Sequence, residues 1–146
     1  ERGAEMILIG SDIIAALKAH TFTLDKVSVK AAYSVKSPAC PMLTLDELPS
    51  NDGAYIDGLP CVVRNVLTLE AYAKDMSIQG VITPKRDAAY KLIMEADDFL
   101  NEAYGLTMIG QIQAAPYSDT TIFRAVANYF AYIDTRTNII LRSIQR

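Results

Sequence analysis

The longest alternating run lies in Thr121–Ile133, where Phe123, Ala125, Ala127, Tyr129, Ala131 and Ile133 fall on one face of an extended strand. The opposite face, Ile122, Arg124, Val126, Asn128, Phe130 and Tyr132, is mixed. This pattern predicts a half-buried strand, and the three alanines on its apolar face predict close packing under a bulky element. A second alternation sets Val27, Val29, Ala31, Tyr33 and Val35 against Ser28, Lys30 and Ser34, predicting a strand over Val27–Val35. Pro38 and Pro41 interrupt pairing around Cys40, and it resumes over Met42–Leu45. Cys61–Tyr72 reads as one long strand with a bulge near Asn65, where the alternation changes phase. Leu106–Gln113 predicts another strand around Gly110. The turn Asp134–Asn138 then folds Ile139–Leu141 back as a terminal hairpin.

Helical periodicity is strongest between Thr83-Pro84, an N-cap followed by proline at the first helical position, and Gly105 at the C-terminal end. Ala88, Ala89, Leu92, Ile93, Ala96, Phe99, Leu100 and Ala103 recur there at steps of three and four, and the helix spans roughly 30 Å. A shorter helix, capped by Ser11 or Asp12 and running to about Thr21, carries Ile13, Ile14 and Leu17 on one stripe. Turn formers crowd Asp46–Pro60 and predict a loop, and Ala115–Asp119 predicts a proline-containing turn. The order is therefore α-β-β-β-α-β-β-β. It describes an α+β fold, a mainly antiparallel β-sheet packed against one long α-helix, with a short N-terminal helix. Residues 12–146 read as a single domain. The stretch 1–11, ERGAEMILIGS, is either an added leader or a native arm whose Met6–Ile9 pairs as a strand on a neighbour.

Composition narrows the classes. The chain has 146 residues, 51% of them hydrophobic and 21% charged, which excludes disordered and collagen-like chains. A net charge of -3 and a pI of about 5.1 argue against a nucleic-acid binder driven by phosphate contacts. The two cysteines, Cys40 and Cys61, cannot build a disulfide framework; with no signal-peptide pattern at the start, a reducing cytosolic compartment is expected. No run approaches the roughly 18 apolar residues that a membrane-crossing helix needs.

Chemical motifs are sparse. His20 is the sole histidine and falls at the end of the first helix, where capping explains it. The cysteines lack zinc-site spacing, and no glycine pattern has a phosphate-binding ending. No catalytic, metal or cofactor residues are assigned, and the chain is not expected to be an enzyme. Glu95, Asp97, Asp98 and Glu102 crowd the C-terminal half of the long helix and read as a solvated acidic face. Lys85 and Arg86 open the same helix, so both groups oppose the macrodipole. That order suggests a head-to-tail contact in which the basic start of one copy meets the acidic end of the next. Tyr55, Tyr72, Tyr104 and Tyr117 lie in or beside loops as candidate interface anchors. Arg124 interrupts the mixed strand face, and its acid partner lies within the domain or across a subunit boundary.

Over roughly residues 12–142 the chain resembles the tail terminator, or tail completion, proteins of long-tailed bacteriophages. The resemblance rests on the opening helix, the strand pair, the long strand Val62–Tyr72, the helix Lys85–Tyr104 and the joint Tyr104-Gly105-Leu106. Its most specific part is Ala115–Arg124 followed by the aromatic strand Asn128-Tyr129-Phe130-Ala131-Tyr132-Ile133-Asp134. It implies a structural protein forming a homohexameric ring on the tail tube protein, terminating polymerisation and offering its other face to the head-completion or connector protein. It also implies residence at the head-proximal end of the virion tail, in the host cytoplasm during assembly, without cofactor, membrane or specific nucleic acid. The loop Glu47–Leu59 and the first eleven residues depart from the family pattern. The alternatives are a head–tail joining protein, a small bacterial ligand-binding or regulatory α+β domain, and an enzyme working through carboxylates alone.

Overall fold

In a computed structural model of the chain, residues 8–35, 37–49, 55–56, 59–60 and 62–141 are described. The elements in order are α1 (Gly10–Ala19), β1 (Ser28–Ala31), a 3-10 turn (Ala32–Ser34), β2 (Met42–Leu48), β3 (Tyr55–Ile56), β4 (Leu59–Pro60), β5 (Val62–Ala73), β6 (Met76–Ile78), β7 (Val81–Thr83), α2 (Lys85–Tyr104), β8 (Met108–Ala115), β9 (Phe123–Asp134) and β10 (Ile139–Leu141). The fold is α+β, mostly sheet.

The two long alternating segments form the centre. β5 and β9 pair antiparallel along their whole length, from Val62 opposite Asp134 to Ala73 opposite Phe123. β2 lies antiparallel on the other side of β5, and β1 lies outside β2. Both β8 and β10 pair with the free side of β9, β8 along Arg124–Tyr129 and β10 along Tyr132–Asp134. Between these two stretches, the side of β9 at Phe130 and Ala131 has no strand partner among the described residues. β3–β4 and β6–β7 form separate two-stranded ribbons.

One face of the sheet is the core face. Val63, Leu67, Leu69, Ala71 and Ala73 of β5 and Ala125, Ala127, Tyr129, Ala131 and Ile133 of β9 are buried there. α2 packs over them through Ala88, Ala89, Leu92, Ile93, Ala96 and Leu100, and α1 adds Ile13 and Leu17. The alanines of β9 leave space for the helix, as their spacing predicts. Gly105 ends α2 in the left-handed region, with φ of 70°. No helix of the described residues is long and apolar enough to cross a membrane.

Several expectations need correction. β5 has no bulge: its burial alternates without a break, and Asn65 occupies an inward position at 0% exposure. The apparent change of phase is a polar residue in the core row, bonded there to Glu47. The ladder's irregularity lies in β8, between Ile109 and Gln113, where Gly110 takes φ of 67°. β1 stops at Ala31 because the chain enters a 3-10 turn, which leaves Tyr33 exposed instead of in the alternating row. β1 also pairs with β2 in parallel, the one parallel pair among the described strands of an otherwise antiparallel sheet. β2 continues past Leu45 to Leu48, because its pairing with β5 extends to Val66.

Helix caps differ from expectation too. Neither Ser11 nor Asp12 caps α1, which starts at Gly10; the Glu47 carboxylate accepts the N–H groups of Ile9 and Gly10 instead. Ile9 is buried, so the folded body begins ahead of residue 12. At α2, Pro84 is the cap residue and Thr83 Oγ1 donates to the Val81 carbonyl, while Asp75 Oδ1 accepts the Lys85 N–H at 2.8 Å. Residues 1–7 and Cys61 lie outside the described residues.

Candidate interaction surface

The residues singled out by charge separate into distinct structural roles. Glu95 leaves the outer face of α2 to accept the Thr23 N–H at 2.9 Å and the Thr23 hydroxyl, so it ties α2 to the α1–β1 connection. Asp97 accepts the phenol of Tyr129 at 2.8 Å, a bond between α2 and the centre of β9. These two acids serve the domain's own packing. Asp98 and Glu102 are exposed on the same helix.

The opposite end of α2 is of mixed sign. Arg86 sits 3.8 Å from Asp87 and its guanidinium lies over the Tyr90 ring, 5.1 Å from the centroid. The Lys85 ammonium donates to the Thr120 carbonyl. Hydrogen bonds from the Thr121 hydroxyl and N–H hold Asp119 below the usual carboxylate range, and Lys74 and Lys85 nearby reinforce this. With Asp75 on the Lys85 N–H, each base of this end has an acid close by. Glu95, Asp97, Lys85 and Arg86 thus have neighbours within the chain, while Asp98 and Glu102 stay on the exposed face of α2.

Arg124 pairs with Glu70 across β5 and β9, and both side chains are mostly buried. Glu70 also accepts the Tyr72 phenol at 2.6 Å, and the Tyr72 ring meets Tyr117 edge-on at 5.5 Å. Burial first, then the bond to Glu70, pushes the Tyr72 phenol up to about 12. Tyr117 thus closes the 116–122 turn onto the sheet. Farther along this outer face Thr68 donates to Asn128 at 3.0 Å, and the Arg64 guanidinium stacks 4.4 Å above the Phe130 ring. Tyr55 lies in β3, and its side chain is outside the described residues. His20 is the C-cap residue of α1, its N–H on the Leu17 carbonyl at 3.2 Å, and its ring packs against Phe22 and Phe99 with centroids at 4.8 Å from each. Burial raises the half-buried Cys40 thiol. Among the described residues no cluster of His, Cys, Asp or Glu could hold a metal ion.

Two apolar features at opposite ends of the sheet were not singled out by sequence pattern. One is the β6–β7 ribbon that follows β5, where Val81 and Ile82 are 65% and 88% exposed. Its signal is Gln79-Gly80 between short apolar pairs, a two-residue turn with φ of 50° and 82°. The other is a groove of about 420 Å³ lined by Val62, Gly105, Leu106, Thr107, Phe130, Tyr132 and Leu141. It lies where β8 and β10 leave the side of β9 open. Leu8, Tyr132, Ile139 and Leu141 are exposed toward this end; Tyr33, Leu48, Met94 and Ile109 are spread over the rest of the surface. No known family model matches the chain, and no curated protein matches it.

Proposed function

We propose that this chain is a structural, non-catalytic subunit of a long-tailed bacteriophage, a tail terminator whose copies close into a ring on the end of the tail tube. The ring stops tube growth and offers its other face to the head-completion protein. The observation that carries the reading is the placement of exposed apolar side chains at two different ends of one domain, Val81 and Ile82 at one and Tyr132, Ile139 and Leu141 at the other. Two unlike adhesive ends allow a subunit to associate head to tail, and such contacts close into a ring when the rotation per subunit permits. The element order and the aromatic strand Asn128–Asp134 support the phage assignment through the family resemblance. The finer fold reading, a mainly antiparallel sheet packed against one long helix in the element order that resembles that family, belongs to the same proposal.

Light scattering across a concentration series tests it. A hexamer of a 16.0 kDa chain has a mass of about 96 kDa, and negative-stain images of that species should show rings with a central channel. A monomer at every concentration, or a two-fold dimer without a channel, overturns the reading.

A further inference from the structure

We propose that the β6–β7 ribbon of one copy seats Ile82 in the apolar groove over Phe130, Tyr132 and Leu141 of the next copy. This inference rests on the ring reading and names the contact that would build it. The ribbon cannot reach the groove of its own chain. β5 runs from Val62, which lines the groove, to Ala73, just ahead of the ribbon, a span of roughly 36 Å at about 3.3 Å per residue. α2 measures the same separation independently. It starts at Lys85, directly after the ribbon, and ends at Tyr104, beside Gly105 on the groove wall, roughly 30 Å away.

Chemistry then selects the occupant. Ile82 is 88% exposed in β7 opposite Ser77, beside Val81 at 65%, so the two make an apolar patch next to the ribbon's turn that burial in a partner would stabilise. The groove is walled by Val62, Leu106, Phe130, Tyr132 and Leu141 and has room for a branched aliphatic side chain. A second hollow at the same end, between α1, α2 and β10, carries Asp12 and Asn138 on its lining and suits an apolar knob less well. Aromatic rings beside a stacked arginine, here Phe130, Tyr132 and Arg64, form the composition enriched at the centre of protein interfaces. Knob and groove belong to the same chain at different ends. Under the ring reading their contact is heterologous, the type that propagates around a ring, and a reciprocal two-fold pair would instead stop at two copies.

The test uses two variants at exposed positions, Ile82→Asp and Leu141→Asp, each compared with the unaltered protein by light scattering. Each variant alone should raise the concentration for half-assembly at least about tenfold. Mixed together, they should form a pair of about 32 kDa, because one retains an intact groove and the other an intact ribbon, and no further contact is then productive. A photo-crosslinker at position 82 of the otherwise unaltered chain should capture groove residues of another copy. Rings that persist in Ile82→Asp, or crosslinks to a different surface, overturn this contact and leave the ring standing. An unaltered chain that stays monomeric overturns the ring itself and this contact with it.

Discussion

Glu47 accepts the N–H of Gly10 at 2.7 Å, so a side chain from the sheet stands where an N-cap side chain stands in an isolated helix. The same carboxylate takes the Ile9 N–H at 2.9 Å and the Asn65 side-chain amide at 2.6 Å. Two unpaired donors of α1 are thereby satisfied, and a negative charge sits at the positive end of the helix dipole. Gly10 leaves room for this approach: a Cβ there would lie 2.9 Å from Glu47 Oε1, so the carboxylate would have to shift.

Replacing Glu47 by Ala should cost about 2–3 kcal/mol in urea unfolding, since it strips the cap and leaves the Asn65 amide buried without this acceptor. Glu47→Gln keeps an acceptor and should lose less. Glu47 and Asn65 should also couple: the double alanine variant should fall short of the sum of the singles by at least about 0.5 kcal/mol. Strict additivity would mean that the bond adds nothing beyond its parts.

The pair Tyr129 and Asp97 ties the helix layer to the sheet through a phenol that is fully buried and a carboxylate at 2.8 Å. Tyr129→Phe should lower stability by about 1–2 kcal/mol, as for a hydrogen bond to a charged group. Asp97→Ala should cost at least as much, because the hydroxyl loses this acceptor inside the core. Thermal melts of both, and of Tyr129→Phe combined with Asp97→Ala, check the claim. If Asp97→Ala costs as much in the Tyr129→Phe background as it does alone, the bond is not the reason Asp97 is placed there.

What was legible in the sequence follows from whether an element's neighbours are local. β9 could be read because its inner row meets one uniform layer, and α2 because its stripe is long and Gly105 terminates it in the conformation glycine favours. Asn65 was misread as a break in phase because its partner Glu47 is distant in sequence and brought close by β2–β5 pairing. The caps from Glu47 and Asp75 escaped for the same reason, since cap rules concern residues next to the helix. Glu95 and Asp97 looked like surface charges because helical spacing shows which residues share a face and cannot show which tertiary donors approach it. Lys85 and Arg124 stand out in the sequence, but their partners Thr120 and Glu70 needed the fold, whereas Arg86 lies near its own sequence neighbour Asp87.

Tyr72 gives a pH signature. Its phenol is held protonated up to about 12 against an ordinary value of 10.0, through burial and then its bond to Glu70. A raised folded value favours the protonated form, so this contribution to stability is complete below pH 10 and is lost as pH rises from there through about 12. In an absorbance titration near 295 nm Tyr72 should therefore ionise late, together with any other buried phenol, and Tyr72→Phe should reduce the amplitude of the late phase by one tyrosine. A late phase of unchanged amplitude would mean that Tyr72 does not contribute to it. The variant should also flatten the fall in stability between pH 10 and 12.

The turn of the β6–β7 ribbon supplies the last prediction, because Gln79 and Gly80 both take positive φ, 50° and 82°. A two-residue hairpin turn of this kind favours Asn followed by Gly, and glutamine at its first position bears left-handed strain. Gln79→Asn should relieve about 0.5 kcal/mol of that strain. Gly80→Ala should cost about 1 kcal/mol from backbone conformation alone, since an added Cβ meets nothing within 4 Å. The ribbon forms its own small sheet, so these changes act on local opening more than on global unfolding. Hydrogen exchange should show amides of Met76–Ile78 and Val81–Thr83 protected about twofold more in the first variant and about fivefold less in the second, with β5 and β9 unchanged. Equal exchange in all three chains would mean that contacts at the base of the ribbon, rather than its turn, hold it in place.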